Sequence, residues 1–352
     1  MIPCQQIAAP MVRFSKLPFR HVVRSWGCEL VYTPMIMAES FIASSRARDI
    51  EFTTNHHDRP VIVQFAAHDA MELSKAAALL AGKVDGVDIN CGCPQRWAIK
   101  EGVGAALLKK PELVRDMVKM TRESSGLPVS IKIRTDPDLK ETLRLTRLAE
   151  EVGVSFITLH GRTALSKPSD PVDFDAIRLV KEHLRVPLVA NGDVKQLQDV
   201  YDIFNSTGAD GAMAARGLLV NPAMFSGYDQ TPTECVNDYV YSALQLGTRF
   251  EQIFHKTLEW MLCEVLNKSD RIHLNGCVSV SGVSHSLMQS VSLPCFRCPP
   301  SLLSLLPCAS HSLFSPISPF LDSFLLVEEG WERKSKAERS PAGAAVLEGA
   351  RV

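Results

Sequence analysis

The chain is predicted to be an α/β protein, a (β/α)8 TIM barrel followed by a truncated helical domain and a low-complexity tail. Three observations predict this. Between residue 7 and about residue 225, eight short β-rich runs alternate with amphipathic stretches of helical length. Six polar residues, Gln64, Asn90, Lys132, His160, Asn191 and Arg216, stand at or just past the ends of those runs, on the rim where barrels gather their chemistry. Glycine-bearing turns follow the last two runs, at Gly192 and Gly217. A doubly wound open sheet is the structural rival. It rarely needs eight parallel strands at this spacing, and no G-x-G-x-x-G follows an early strand.

In chain order, the β-rich runs cover 7–9, 30–33, 61–65, 86–90, 129–133, 156–160, 187–191 and 211–214. The spacing of apolar residues predicts helices over 69–80, 112–123, 139–152, 175–183 and 195–206. Asp69 and Asp175 are the expected N-caps of two of these, and three of them end at Gly82, Gly126 and Gly153. The barrel is assigned to 1–228. A partial helical domain is expected over 229–276, with helices at 237–246 and 248–266. Beyond it, 277–352 is rich in Ser, Leu and Pro without a sustained period, and is expected to be disordered.

Composition excludes several classes. The 352 residues are 46% hydrophobic and 22% charged with a formal net charge of −1, so a polyanionic partner must be met by a local patch of cations. No apolar stretch is long enough to span a bilayer. The N-terminus has no secretory pattern, so the ten cysteines are expected to be reduced thiols in a cytoplasmic protein, with a nucleus or organelle left open. The pair Cys295 and Cys298 lacks a second ligand pair at zinc spacing, and no metal is expected. A monomer without membrane attachment is expected.

The chemistry concentrates in Asp88, Ile89, Asn90, Cys91, Gly92, Cys93 and Pro94. A thiol at the end of a buried strand beside an amide is a candidate acid or nucleophile, although buried cysteines are commonly packing residues. Lys132 lies within an apolar strand, where an amine is costly without an anion or polar edge to meet it. It suits either a Schiff base or a hydrogen bond to a cofactor. The turns at Asn191, Gly192 and Asp193 and at Ala215, Arg216 and Gly217 are suited to a phosphate, because glycine admits close backbone approach and Arg216 adds a planar donor fork.

These motifs occur together and in order with Ala9, Pro10 and Met11, with Gln64 between Val63 and Phe65, and with His160 before Gly161, Arg162 and Thr163. Over roughly residues 7–275 the combination resembles the tRNA-dihydrouridine synthases, and details at 11–16 and 218–222 resemble the eukaryotic branch acting at positions 20a and 20b of the D-loop. The resemblance implies an FMN-dependent barrel that takes its electrons from NADPH or NADH and acts on tRNA. It places Ala9, Pro10 and Met11 along the flavin, Gln64, Lys132 and His160 at its ring edge, and Asn191, Gly192, Asp193, Ala215 and Arg216 at its phosphate side. It makes Cys93 the proton donor and Cys91 a packing residue. Asn90 is implied to position the uracil, and Lys100, Arg134 and Arg162 are implied RNA contacts.

The family carries an RNA-gripping helical domain after the barrel. Here that domain gives way near Gly276, which predicts Phe250, Phe254 and Met261 exposed for want of a packing partner. Two other functions remain open at this level. One is an FMN barrel that reduces a small molecule of dihydroorotate or enoate type. The other is a flavin-binding protein that does not act on tRNA.

Overall fold

The structure is a computed structural model that describes residues 5–249 and 253–290. Among these, the strands are β1 (Gln5–Ala8), β2 (Leu30–Tyr32), β3 (Ile36–Met37), β4 (Val61–Ala66), β5 (Gly86–Cys91), β6 (Val129–Arg134), β7 (Phe156–His160), β8 (Leu188–Asn191) and β9 (Gly211–Ala214). All except β3 form a closed parallel barrel. Neighbours pair in the order β1, β2, β4, β5, β6, β7, β8, β9, and β9 returns to β1 with Ala214 opposite Ala8. The two-residue β3 adds to the far end of β4. Strands β4 and β5 are buried along their whole length, as parallel strands covered on both faces must be.

Alternation along each strand divides the apolar residues in two. Ile7, Tyr32, Ile62, Val189 and Met213 fill the inside of the barrel. Residues one position away, such as Val31, Val63, Ile89, Ile131 and Leu159, join the larger cluster between strands and surrounding helices. Register then fixes which polar residues share a level. Asn90 stands opposite Lys132, Arg134 opposite His160, and His160 opposite Asn191. A one-residue slip would send each of these to the helix side.

Local signals mostly act as expected. Asp69 accepts from the Glu72 N–H at 2.8 Å, and Gly126 ends its helix in the left-handed region at φ +68°. The cap expected at Asp175 is instead Asp173, whose carboxylate accepts from the Ala176 N–H at 2.8 Å. The helix Phe174–Glu182 starts one residue before Asp175. Asp175 therefore lies in the first turn, where an acid still favours the positive end of the helix.

The region after the barrel departs more from expectation. Helix Thr233–Gln245 packs on helix Leu17–Ser25. The helix expected over 248–266 is shorter, His255–Met261, and helices Lys268–Asn275 and Val280–Ser290 follow it. Phe254 and Met261 are buried rather than exposed, because Tyr239 stacks on Phe254 at 6.0 Å between ring centroids and Leu274, Val283 and Leu287 join the same cluster. The His255 ring adds a 2.7 Å hydrogen bond from Nε2 to the Leu274 carbonyl. Phe250, the Cys295 and Cys298 pair, and the tail from 291 lie outside the described residues.

Candidate active site

The C-terminal rim of the barrel opens into a cleft of about 870 Å³, within the range of cofactor sites. Of the residues singled out by sequence, Ala9, Pro10, Lys132, Arg134, His160, Arg162, Asn191, Gly192, Asp193, Ala215 and Arg216 line it. Met11, Gln64, Asn90, Cys93 and Lys100 do not, although Pro94 beside Cys93 does. Lys100 is exposed on the short helix Arg96–Lys100.

Lys132 reaches across the barrel to donate to Asn191 Oδ1 at 2.7 Å, and Asn191 donates in turn to the Met213 carbonyl at 2.8 Å. An ammonium has three N–H donors, so Lys132 keeps capacity for a ligand. Burial and then the charge of Arg134 lower its pKa to about 8, against the pull of Asp88 and Cys93. It therefore stays mostly protonated at neutral pH.

His160 is driven further. Burial, followed by the charges of Lys132, Arg134, Arg162 and Arg216, lowers its pKa to about 2, which makes it a neutral ring that can donate from one nitrogen and accept at the other. This sets a pH dependence. Between about pH 6.5 and 2 the unfolded chain binds a proton that the native one does not, so stability is full above the unfolded value and falls as pH drops through that window. The limiting slope is about 1.4 kcal/mol per pH unit. Urea midpoints of cofactor-stripped protein at pH 7 and 5 are expected to differ less in His160→Gln than in the unmodified chain.

The two arginines are braces. Arg134 donates from Nε to the Gly92 carbonyl at 2.8 Å and from Nη1 to the Thr163 carbonyl at 3.0 Å, so it ties the loop after β5 to the loop after β7. Arg162 is nearly buried and donates to the Asp170 carbonyl and to Asp193 Oδ2 at 2.5 Å. That ion pair helps hold Asp193 at φ +52°, an unusual value for a residue with a side chain. Arg216 is exposed on the cleft and makes no hydrogen bond or ion pair among the described residues.

Close backbone approach shapes the turns after β8 and β9. A Cβ on Gly217 would stand 2.2 Å from the Val194 carbonyl oxygen, so the loops after β8 and β9 touch through that glycine. Gly217→Ala is expected to push them apart and weaken ligand retention in the cleft at least tenfold, by about 1.4 kcal/mol or more. Dialysis against buffer followed by absorbance measures the cofactor retained. Gly104, at φ +63°, does the same for the loop that carries Cys93: a Cβ there would meet the Cys93 carbonyl at 2.8 Å.

Cys93 is half-buried and lies near both Lys132 and Arg134. Its N–H and that of Gly92 donate to Asn90 Oδ1 at 2.9 and 3.2 Å. The Asn90 amide donates to Gln64 Oε1 at 2.9 Å, and Gln64 is itself buried and donates to Asp88. Both amides thus use one N–H and the oxygen within the protein and keep a second N–H. Cys91 is fully buried in the strand–helix core, where burial holds its thiol well above the ordinary range.

Sequence reasoning missed one wall of the cleft. Trp260, 36% exposed, and Glu264 line it from the helical region, together with Lys167, Lys195 and Asp229 from loops. The available signal was position: Trp260 lies off the apolar stripe of Phe254, Leu258 and Met261, and so had no core role to explain it.

Comparison with known proteins agrees with this geometry. The profile of the dihydrouridine synthase (Dus) family matches residues 7–279. A Homo sapiens protein named tRNA-dihydrouridine(20a/20b) synthase (NAD(P)+)-like is 50% identical over 281 residues, covering 79% of this chain and 88% of that one. A Schizosaccharomyces pombe tRNA-dihydrouridine(20a/20b) synthase (NAD(P)+) is 44% identical over 268 residues, covering 76% and 82%. Among solved structures, a 2-naphthoyl-CoA reductase shares the fold at a TM-score of 0.50 and 9% identity, over 63% of this chain and 49% of that one. The chain belongs to the dihydrouridine synthase family.

Proposed function

We propose that this chain reduces uridine in tRNA to 5,6-dihydrouridine at D-loop positions 20a and 20b, with FMN bound in the cleft and NADPH or NADH as reductant. The observation that supports this most is the half-buried Cys93 thiol, displayed on a braced loop next to a cleft lined by Lys132, neutral His160 and Arg216.

FMN fits the residues present. The cleft has two glycine-tight turns, an unpaired Arg216 for the phosphate, and a lysine with spare donors for the polar edge of the ring. Asn191, Gly192, Asp193, Ala215 and Arg216 would hold the phosphate side, while Ala9 and Pro10, which line the cleft, and the adjoining Met11 would lie along the ring. Lys132, His160 and the second N–H of Gln64 would serve its edge. When bound, FMN supplies the hydride that adds to C6 of the uracil.

The rest falls to side chains. Cys93 Sγ gives its proton to C5 from the opposite face and regains one from solvent. A positioned acid is needed because charge gathers on C5 and O4 as the hydride arrives. Asn90 offers its second N–H to the uracil edge. Extruding the base costs a few kcal/mol, least in a loosely stacked loop. Arg134 and Arg162 keep the mouth in shape, and Lys100 is available to RNA phosphates outside it.

The purified protein is expected to be yellow and, with NADPH and unmodified tRNA, to form dihydrouridine. Protein that holds flavin and oxidises NADPH but leaves every tRNA unmodified would overturn the RNA substrate. Colourless protein that takes up no added FMN would overturn the cofactor.

A further inference from the structure

Strand β5 carries a residue that the reaction above does not use. Asp88 lies two positions before Asn90, fully buried inside the barrel. Its Oδ1 accepts from Ser130 Oγ at 2.7 Å, and its Oδ2 accepts from Gln64 Nε2 at 2.8 Å. Gln64 Oε1 accepts from Asn90 Nδ2 at 2.9 Å, and Asn90 Oδ1 accepts from the N–H of Cys93 at 2.9 Å and of Gly92 at 3.2 Å. The chain of bonds therefore runs unbroken from the barrel interior to the backbone of the acid.

Its direction is set by its two ends. A carboxylate only accepts, and the loop N–H groups only donate. Between them stand two primary amides, each with one donating and one accepting end. With an acceptor at Asp88 and donors at Gly92 and Cys93, a single orientation of both amides satisfies every bond. Burial pushes Asp88 up to about 6, opposed by the hydrogen bonds from Ser130 and Gln64 and by Lys132, so the group remains an ionised acceptor at neutral pH. An apolar residue here would pack as its neighbours do, but would leave the Gln64 N–H without a partner and free that amide to turn. Released from Gln64, Asn90 would hold the loop less firmly. A buried polar network of this kind orders its members only while it is complete.

We propose that Asp88 is a positioning residue for Cys93: by orienting the amides of Gln64 and Asn90, it holds the loop at 91–94 in the conformation that presents the thiol. The proposal rests on the reading of Cys93 as proton donor. Its test is arranged to separate the two.

Asp88→Leu keeps the branching of the side chain, with added bulk, and removes the acceptor. Asp88→Asn keeps an oxygen for Gln64 by turning its amide N–H towards Ser130. In the flavin-loaded protein, hydrogen exchange at the Gly92 and Cys93 amides is expected to quicken about tenfold or more in Asp88→Leu relative to the rest of β5. It is expected to return to within about threefold of the original in Asp88→Asn, as the loss and recovery of a buried hydrogen bond require. With tRNA, kcat is expected to fall about 10- to 100-fold in the leucine variant and to recover in the asparagine variant. Asp88→Ala, which adds no bulk, carries the same expectation and decides the matter if the leucine variant does not accumulate. Loop exchange unchanged by loss of the carboxylate, or unrestored by asparagine, would overturn the positioning role. If the loop responds as expected while the unmodified chain forms no dihydrouridine, the positioning stands and the proposed function fails.

Discussion

Cys93→Ala is expected to lower the turnover of tRNA by about 10²- to 10⁴-fold, the usual contribution of a positioned proton donor, while the protein stays yellow. The reason lies in what surrounds the thiol. Cys91 cannot replace it: that side chain is fully buried on the strand–helix side, and burial holds its pKa far up. Lys132 is the nearby alternative donor, but its ammonium is held by Asn191 on β8. None of the residues assigned to the flavin is displaced by removing one sulfur, so absorbance of the bound cofactor and its reduction by NADPH should persist. Mass spectrometry of the tRNA product, beside a stopped-flow trace of flavin reduction, checks both halves. Unchanged turnover would remove Cys93 from the chemistry.

Arg20→Ala is expected to cost about 3–5 kcal/mol of stability, as for removal of one partner from a buried ion pair. Arg20 and Asp58 are both almost wholly buried. The guanidinium donates to both carboxylate oxygens, with the shortest contact 2.6 Å from Nη2, and to the Ser15 and Thr53 carbonyls at 2.7 Å each. Its loss leaves a buried carboxylate met, among the described residues, by Thr54 and by Arg24 at 3.9 Å. The damage should extend to the cleft, because Ser15 in turn accepts from the Met11 N–H and donates to the Ala9 carbonyl. A domain is held by about 5–15 kcal/mol in all, so the urea midpoint should drop steeply and flavin should leak from whatever remains folded. Arg20→Lys should recover little, since an ammonium cannot span the same acceptors.

The barrel was legible because its two periodicities are: β-branched runs of five or so residues separated by amphipathic helices leave few other folds. The ring of strand-end residues was legible for the same reason, since strand ends in a barrel converge. What did not show was how those residues meet one another. Asp88 looks like any polar residue in a strand, and its partners Gln64 and Ser130 lie 24 and 42 positions away. Arg134 and Arg162 read as loop cations facing RNA, whereas their bonds run to neighbouring loops, because carbonyl acceptors depend on backbone direction that composition does not encode. The error at Phe254 and Met261 has a related origin. The stretch 280–290 is rich in Ser and shows weak amphipathic patterning, yet it forms a helix whose Val283 and Leu287 are buried with them. Tertiary packing outweighed low intrinsic propensity there.

The pairing of Arg134 and Arg162 with loop carbonyls and Asp193 has a consequence for a polyanionic partner. A cation already paired with a carboxylate, as Arg162 is with Asp193, neutralises an RNA phosphate less fully and so frees fewer of the counterions condensed on the RNA. Of the other cations on the cleft, Lys167 and Lys195 would remain for nucleic acid if Arg216 takes a phosphate of the cofactor as proposed. With about 0.7 unit of slope in log K against log salt for each single-strand phosphate neutralised, the mouth contributes a shallow salt dependence. Whatever discrimination it exerts among RNAs then comes from shape and stacking, which added salt leaves largely intact.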